Sequence, residues 1–193
     1  MRKNNYLLLL IIPLLFCSFK TIEPTKKKAL GLSIYLQLQG IVGDATDQYH
    51  PNWINVASYK FNAKNSRQIG QSGAAGVGRA TGSDLTIKAV IADKSLTKLI
   101  DRCLKSTLIL EGILDITESG APVGNNVFAE RVELTEIIVR SVSITGTDPL
   151  AGTVDVSFTL QFREIKRTLQ DLINGNYNAP VDMEWNYQTN SGN

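Results

Sequence analysis

Side chains in this chain change character at every second residue for most of its length, and the period turns helical only once. Leu30, Leu32, Ile34, Leu36 and Leu38 alternate with Gly31, Ser33, Tyr35 and Gln37. Val154, Val156, Phe158, Leu160 and Phe162 alternate with Asp155, Ser157, Thr159, Gln161 and Arg163. Such alternation marks a strand with one buried face. Within Thr81–Ser106, Leu85, Ile87, Ala89 and Ile91 continue it; then Leu96, Leu99, Ile100 and Cys103 fall at i, i+3, i+4, i+7. That is the buried stripe of an amphipathic helix. Asp93 or Ser95 is placed to cap it, and Lys98, Arg102 and Lys105 lie on its wet face or near its C-terminal end. One helix among strands has to plug or flank a β-structure.

In chain order, the first strand ends at Gly40, and Gly43–Asn52 is a polar loop holding the sole histidine, His50. Trp53–Ala63 reads as a second strand, with Ile54 and Val56 on one face and Ala57, Tyr59 and Phe61 on the other. Lys64–Gly82 reads as a long polar loop. After the helix come a strand over Thr107–Ile116, a turn over Glu118–Asn126 and a long strand over Val127–Ile144. The facing of that strand shifts around Glu136–Val139, which predicts a bulge. Thr145–Gly152 reads as a turn, and the tail from Thr168 as polar, ending in an aromatic island at Met183, Trp185 and Tyr187. Six strands, turn signals and one helix predict a mainly β fold: an antiparallel barrel or sandwich of six or more strands with one lateral α-helix.

A chain of 193 residues, 43% hydrophobic, is long enough for one full core. Residues 1–21 start with positive charge and run apolar from Tyr6 to Phe19, the pattern of a signal peptide or membrane anchor. Phe16 stands before Cys17 where a lipid-attachment site has a small residue. Residues 22–29 read as a linker and 30–193 as the folded domain; the expected destination is the periplasm or the medium, with cytoplasmic assembly before secretion as the alternative. The formal charge of +2 misleads, because Arg2, Lys3 and Lys20 lie in the leader, leaving 17 basic against 18 acidic residues. Without Glu23 and Lys26–Lys28 the balance is 14 to 17. A slightly acidic domain lacks the electrostatic footprint of a nucleic-acid binder. Membrane contact is expected only through the leader.

No active site is legible. Gly73 to Gly78 has the spacing of a phosphate loop, but Arg79-Ala80 replaces the lysine and hydroxyl residue that hold phosphate and magnesium, and a strand follows rather than a helix. His50 lacks a second histidine or a nearby cysteine with which to bind zinc, and reads as an exposed loop histidine. Glu111, Asp115, Glu118, Glu130, Glu133 and Glu136 supply carboxylates; Glu130 and Glu136 share a face by spacing, but that is the pattern of a solvated strand face. Trp53 and Trp185 read as packing anchors. Cys17 and Cys103 form no pair inside the domain. No catalytic residue, metal site or cofactor is expected.

Several stretches resemble the haemolysin-coregulated protein family, the tube subunit of the bacterial type VI secretion system. Ile34-Tyr-Leu-Gln-Leu-Gln-Gly40-Ile-Val-Gly43-Asp44 is similar to the family's first strand and turn, and His50 falls where its loop commonly carries a histidine. Ile54-Asn-Val-Ala-Ser58-Tyr59, Asp84-Leu85-Thr86-Ile87 and Asp93-Lys94-Ser95 resemble its second strand and helix-entry run. The ending Glu184-Trp185-Asn186-Tyr-Gln-Thr-Asn190 is similar to its C-terminal motif, with Glu184 in place of the usual glycine. The resemblance implies a barrel with a lateral helix and a homohexameric ring able to stack into a tube. It also implies other secretion-system proteins and small effectors as partners, and no catalysis. It assigns subunit contact to the extended loop holding Gly70, Gln71, Gly73, Gly76, Gly78, Arg79 and Gly82. The leader departs from the family pattern, since an exported chain would reach the periplasm before any tube formed. The competing expectation from the residues alone is a secreted monomeric β-sandwich that binds carbohydrate or peptide.

Overall fold

The computed structural model describes residues 31–65, 80–89, 93–118, 128–148, 153–170, 172–173, 176–177 and 179–192. The expected leader and linker, and all the named residues of the predicted contact loop except Gly82, lie outside them. The strands are β1 (Leu32–Leu38), β2 (Ile54–Phe61), β3 (Lys64–Asn65), β4 (Ala80–Thr81) and β5 (Asp84–Ala89). Helix α1 (Ser95–Lys105) follows, then β6 (Ile109–Glu118), β7 (Glu130–Asp148), β8 (Thr153–Gln161), β9 (Glu164–Leu169), β10 (Leu172–Ile173), β11 (Asn176–Tyr177), β12 (Val181–Asn186) and β13 (Ser191–Gly192). Pairing in the order β7-β6-β1-β2-β5-β8 with β8 back on β7 closes a six-stranded antiparallel barrel. From the first part of β7 the sheet continues outward through β9, β12 and β13.

Closure depends on β7. Its 19 residues are far more than an ordinary strand, and it serves two partners on one edge: β9 over Glu130–Thr135 and β8 from Ile138 onward. The changeover sits at Glu136, whose φ of 51° is left-handed. Val132 and Leu134 are buried before it, Ile137 and Val139 after it, so the inward set moves by one residue as the sequence predicted. A second irregularity, between Val56 and Ser58, explains why β2 presents Ile54 and Val56 inward and then Tyr59 and Phe61.

The core is the inner row of the barrel, where Leu36, Leu38, Leu85, Ile87, Leu114, Phe158 and Leu160 are sealed from water, continued by the buried Ile165 of β9. Leu99 of α1 joins it, Leu96 and Cys103 pack half-buried against it, and Ile100 is half-buried. Burying side chains of this size stabilises by about 1.5–3 kcal/mol each. Gly112 lets β6 come close, since a Cβ there would stand 2.7 Å from Ile137 and 2.9 Å from Leu38. The helix ends on Ser106 in the left-handed conformation, its N–H returning to the Cys103 carbonyl.

Four sequence expectations need correction. Leu32 is largely exposed, because it lies at the barrel mouth, beyond the last register pair with β2. The turn expected over Thr145–Gly152 starts later, since β7 stays paired with β8 as far as Asp148. The polar tail from Thr168 holds strand β12 and the end of β9, and β9 itself was disguised because Arg167 occupies an inward position that reads as polar. Part of the Lys64–Gly82 loop is strand, Lys64 and Asn65 pairing with Thr81 and Ala80. Among the described residues no helix is long and apolar enough to cross a membrane.

Candidate functional site

Register places Tyr35 of β1, Asp115 of β6 and Arg131 of β7 side by side on the outer face of the wall. A carboxylate there would ordinarily be wet. Instead the segment 41–53 folds over it, and Asp115 is 1% exposed. That segment is held by its own ladder, Gly43 N–H to Asn52 O at 2.7 Å, Ala45 N–H to Trp53 O at 2.9 Å and Asn52 N–H to Ala45 O at 2.9 Å. Only glycine fits at 43, where a Cβ would stand 2.2 Å from the Trp53 carbonyl oxygen.

His50 is the piece the segment inserts. It is 6% exposed, so the expectation of an exposed loop histidine was wrong. Its Nδ1 lies 2.7 Å from Asp47 Oδ1 and its Nε2 3.2 Å from Asp115 Oδ2. Arg131 grips Asp115 from the other side with a two-point fork, Nε to Oδ1 and Nη2 to Oδ2, both 2.7 Å. The imidazole stacks on Tyr35 with ring centroids 4.4 Å apart and meets Trp53 edge-on at 4.8 Å. Trp53 is thus spent on packing. Arg131 also lies over the Phe128 ring at 4.4 Å.

Burial alone would depress the His50 pKa, but the hydrogen bonds and charges of Asp115 and Asp47 outweigh it and raise the pKa above its ordinary value. Burial alone would push Asp115 up, but its bonds to Arg131 and His50 hold it below the usual carboxylate value. Asp47 is lowered in the same way, its burial offset by His50 and the Tyr49 amide. With His50 protonated, the arrangement is a neutral set of two anions and two cations. It resembles half of a hydrolytic triad, yet both ring nitrogens already face carboxylates, so the imidazole has no nitrogen left to take a proton from a nucleophile. Among the described residues no group of three or more His, Cys, Asp or Glu could hold a metal ion.

The other sequence candidates separate. Glu130 and Glu136 are divided by the shifted facing at Glu136, and each has its own arginine: Glu130 with Arg167, and Glu136 with Arg163 at 2.6 Å. Glu130 faces inward, accepts the Tyr59 hydroxyl at 3.0 Å and is not on a solvated face. Glu133 meets Lys166 at 3.8 Å. Glu111 is exposed. Gly82, with φ 129°, closes the base of the predicted contact loop, where its carbonyl accepts the Tyr187 hydroxyl at 3.3 Å. There Phe61, Met183, Trp185 and Tyr187 line a cavity of about 350 Å³ with β3 and β4. At the helix entry, Asp93 accepts the Ser95 N–H at 2.8 Å, while Asp44 accepts the Lys94 N–H at 3.1 Å and pairs with Lys94 Nζ at 3.1 Å. Sequence reasoning missed the Asp115–Arg131–His50 set; its one local signal was an acid between Leu114 and Ile116.

Residues 35–168 match the family described as "Type VI secretion system effector, Hcp". The chain belongs to the Hcp family. Among solved structures, Hcp1 from Salmonella typhimurium is 19% identical, with 84% of this chain and 99% of that one covered at a TM-score of 0.68. A type six secretion system protein is 20% identical, with 84% and 100% covered at 0.74. A type VI secretion system effector from Yersinia pestis is 17% identical, with 79% and 98% covered at 0.61. At these identities the likeness is one of Hcp fold. No curated protein matches. The closed barrel with its lateral helix is therefore the Hcp barrel, and the chain is a structural protein of type VI secretion.

Proposed function

We propose that six copies of this chain close head-to-tail into a ring, that the rings stack into a tube, and that small effectors travel in its lumen. The supporting observation is the Hcp match over 35–168, which takes in the six barrel strands apart from the start of β1 before Tyr35. The described surface also leaves Leu104 81% and Leu110 54% exposed, apolar side chains that contact between subunits would bury. A ring needs heterologous contacts, each of about 1,200–2,000 Å² or more. The Gly70–Gly82 loop is the proposed reach toward a neighbour. Light scattering and negative-stain microscopy test the assembly: rings with the mass of six chains are expected, and a monomer at high concentration refutes it. Deleting Gln71–Arg79 should abolish rings while leaving a folded barrel.

Residues 1–21 are read as a signal or anchor, 22–29 as a linker and 30–193 as the Hcp domain. The mature protein leaves the cytoplasm through that leader or with the apparatus. Intact mass of the chain from fractionated cells separates the two: a start near Thr21–Ala29 outside the cytoplasm marks export by the leader, and an intact Met1 start in released tubes marks the other route.

A further inference from the structure

We propose that segment 41–53 is a proton-controlled clasp on the barrel wall, closed while His50 carries a proton and loosened when that proton leaves. The geometry gives the reason. Both partners of the imidazole are carboxylates, Asp47 of the segment itself at 2.7 Å and Asp115 of β6 at 3.2 Å. An imidazolium offers each an N–H; a neutral imidazole has one N–H and one lone pair, so one carboxylate must then face a lone pair. The other groups around the ring cannot make this good. Arg131 of β7 is already forked onto Asp115, the Tyr35 ring of β1 covers one imidazole face, and Trp53 presents its edge. Two carboxylates and one guanidinium also sum to one uncompensated negative charge once the imidazolium is gone, beside a carboxylate 1% exposed.

The segment is joined to the helix as well as to the wall, because Asp44 holds the Lys94 amide and ammonium while its own N–H reaches Asp93 Oδ2 at 3.3 Å. The proton on His50 therefore sets how firmly the entry of α1 is tied to β1 and β6. The raised His50 pKa agrees in sign. An open segment returns the histidine to its ordinary value of about 6.5. The clasp is fully closed below that value and loses stability as pH rises through the higher closed-state value. By linkage, the fall in the closing constant between acid and alkaline pH is about tenfold for each unit separating the two. This device does not depend on ring formation.

The full chain has one histidine, so its ring resonance can be assigned without a mutant. NMR titration from pH 5 to 9 is run beside amide exchange of Ala45 and Asn52, corrected for intrinsic rate, with Leu114 as a barrel reference. The expected result is a midpoint above 6.5, and a fall in Ala45 and Asn52 protection matching the measured shift while Leu114 holds. His50→Gln should flatten the pH dependence. Asp47→Asn, which alters the more exposed partner, should lower the midpoint and shrink the fall; it keeps the test open if the glutamine variant fails to fold. A midpoint at or below 6.5, protection that ignores pH, or an Asp47→Asn midpoint identical to the native one overturns the proposal.

Discussion

Asp115→Ala is the most informative single change on the wall side of that clasp. Asp115 is 1% exposed and receives three charged contacts, two from Arg131 at 2.7 Å and one from His50 at 3.2 Å. Removing it strands two cations against the β1–β6–β7 wall. Breaking a buried pair by removing one partner costs about 3–5 kcal/mol. The Arg131 side chain retains 26% exposure and can turn partly to water, which places the expected loss near the lower end, about 3 kcal/mol. For a domain of this size each kcal/mol corresponds to about 2–4 °C, so the midpoint should fall by roughly 6–12 °C. The assays are a thermal melt for that shift and urea unfolding for the free energy, with the slope checked for constancy so that the urea midpoint reads as stability. Asp115→Leu combined with Arg131→Met should recover much of the loss, because a dry apolar pair of similar volume avoids the desolvation that the ions require. A single-mutant loss below about 1 kcal/mol, or a double mutant as damaged as the two singles added together, would refute the reading of this set as a coupled buried unit.

Other changes probe other parts of the chain. Gly43→Ala should destabilise by about 1–3 kcal/mol in thermal melts, since the added Cβ would stand 2.2 Å from a carbonyl oxygen that cannot turn aside; unchanged melting would show that the segment is not pinned there. At Glu136, with φ 51°, glycine should be within about 1 kcal/mol of the native residue, because relief of a left-handed residue offsets a half-exposed bridge to Arg163, whereas valine should cost about 1–2 kcal/mol more; equal urea midpoints for the two would remove the role given to this conformation. Leu99→Ala should cost about 2–5 kcal/mol of barrel stability and Leu104→Ala almost none, and a reversed order would mean that α1 docks by another face. Toward acid, Asp115 and Asp47 are lowered from 3.8, so their stabilisation is present above that value and should drain away as pH falls through the lower folded values; Asp115→Asn should blunt this part of an acid-unfolding curve.

What could be read directly from the residues was whatever a period of two or of 3.6 encodes. Val156, Phe158 and Leu160 announce β8, Leu96 and Leu99 announce α1, and the broken alternation near Glu136 announces the bend in β7, because each depends only on which side of a local element faces the core. Strand β9 was hidden for the converse reason: Arg167 points inward and is tolerated there only because Glu130, 37 residues earlier, meets it. Register supplied the rest. Asp115 looked like one more acid on a wet strand face until pairing set Tyr35 on one side of it and Arg131 on the other, and until the segment from Gly43 to Trp53 folded back to bring in His50 from 65 residues away. Local patterning decides which backbone forms. The ionic set depends on distances between strands that register fixes, and the burial of Asp115 and His50 then turns ordinary surface charges into a coupled group.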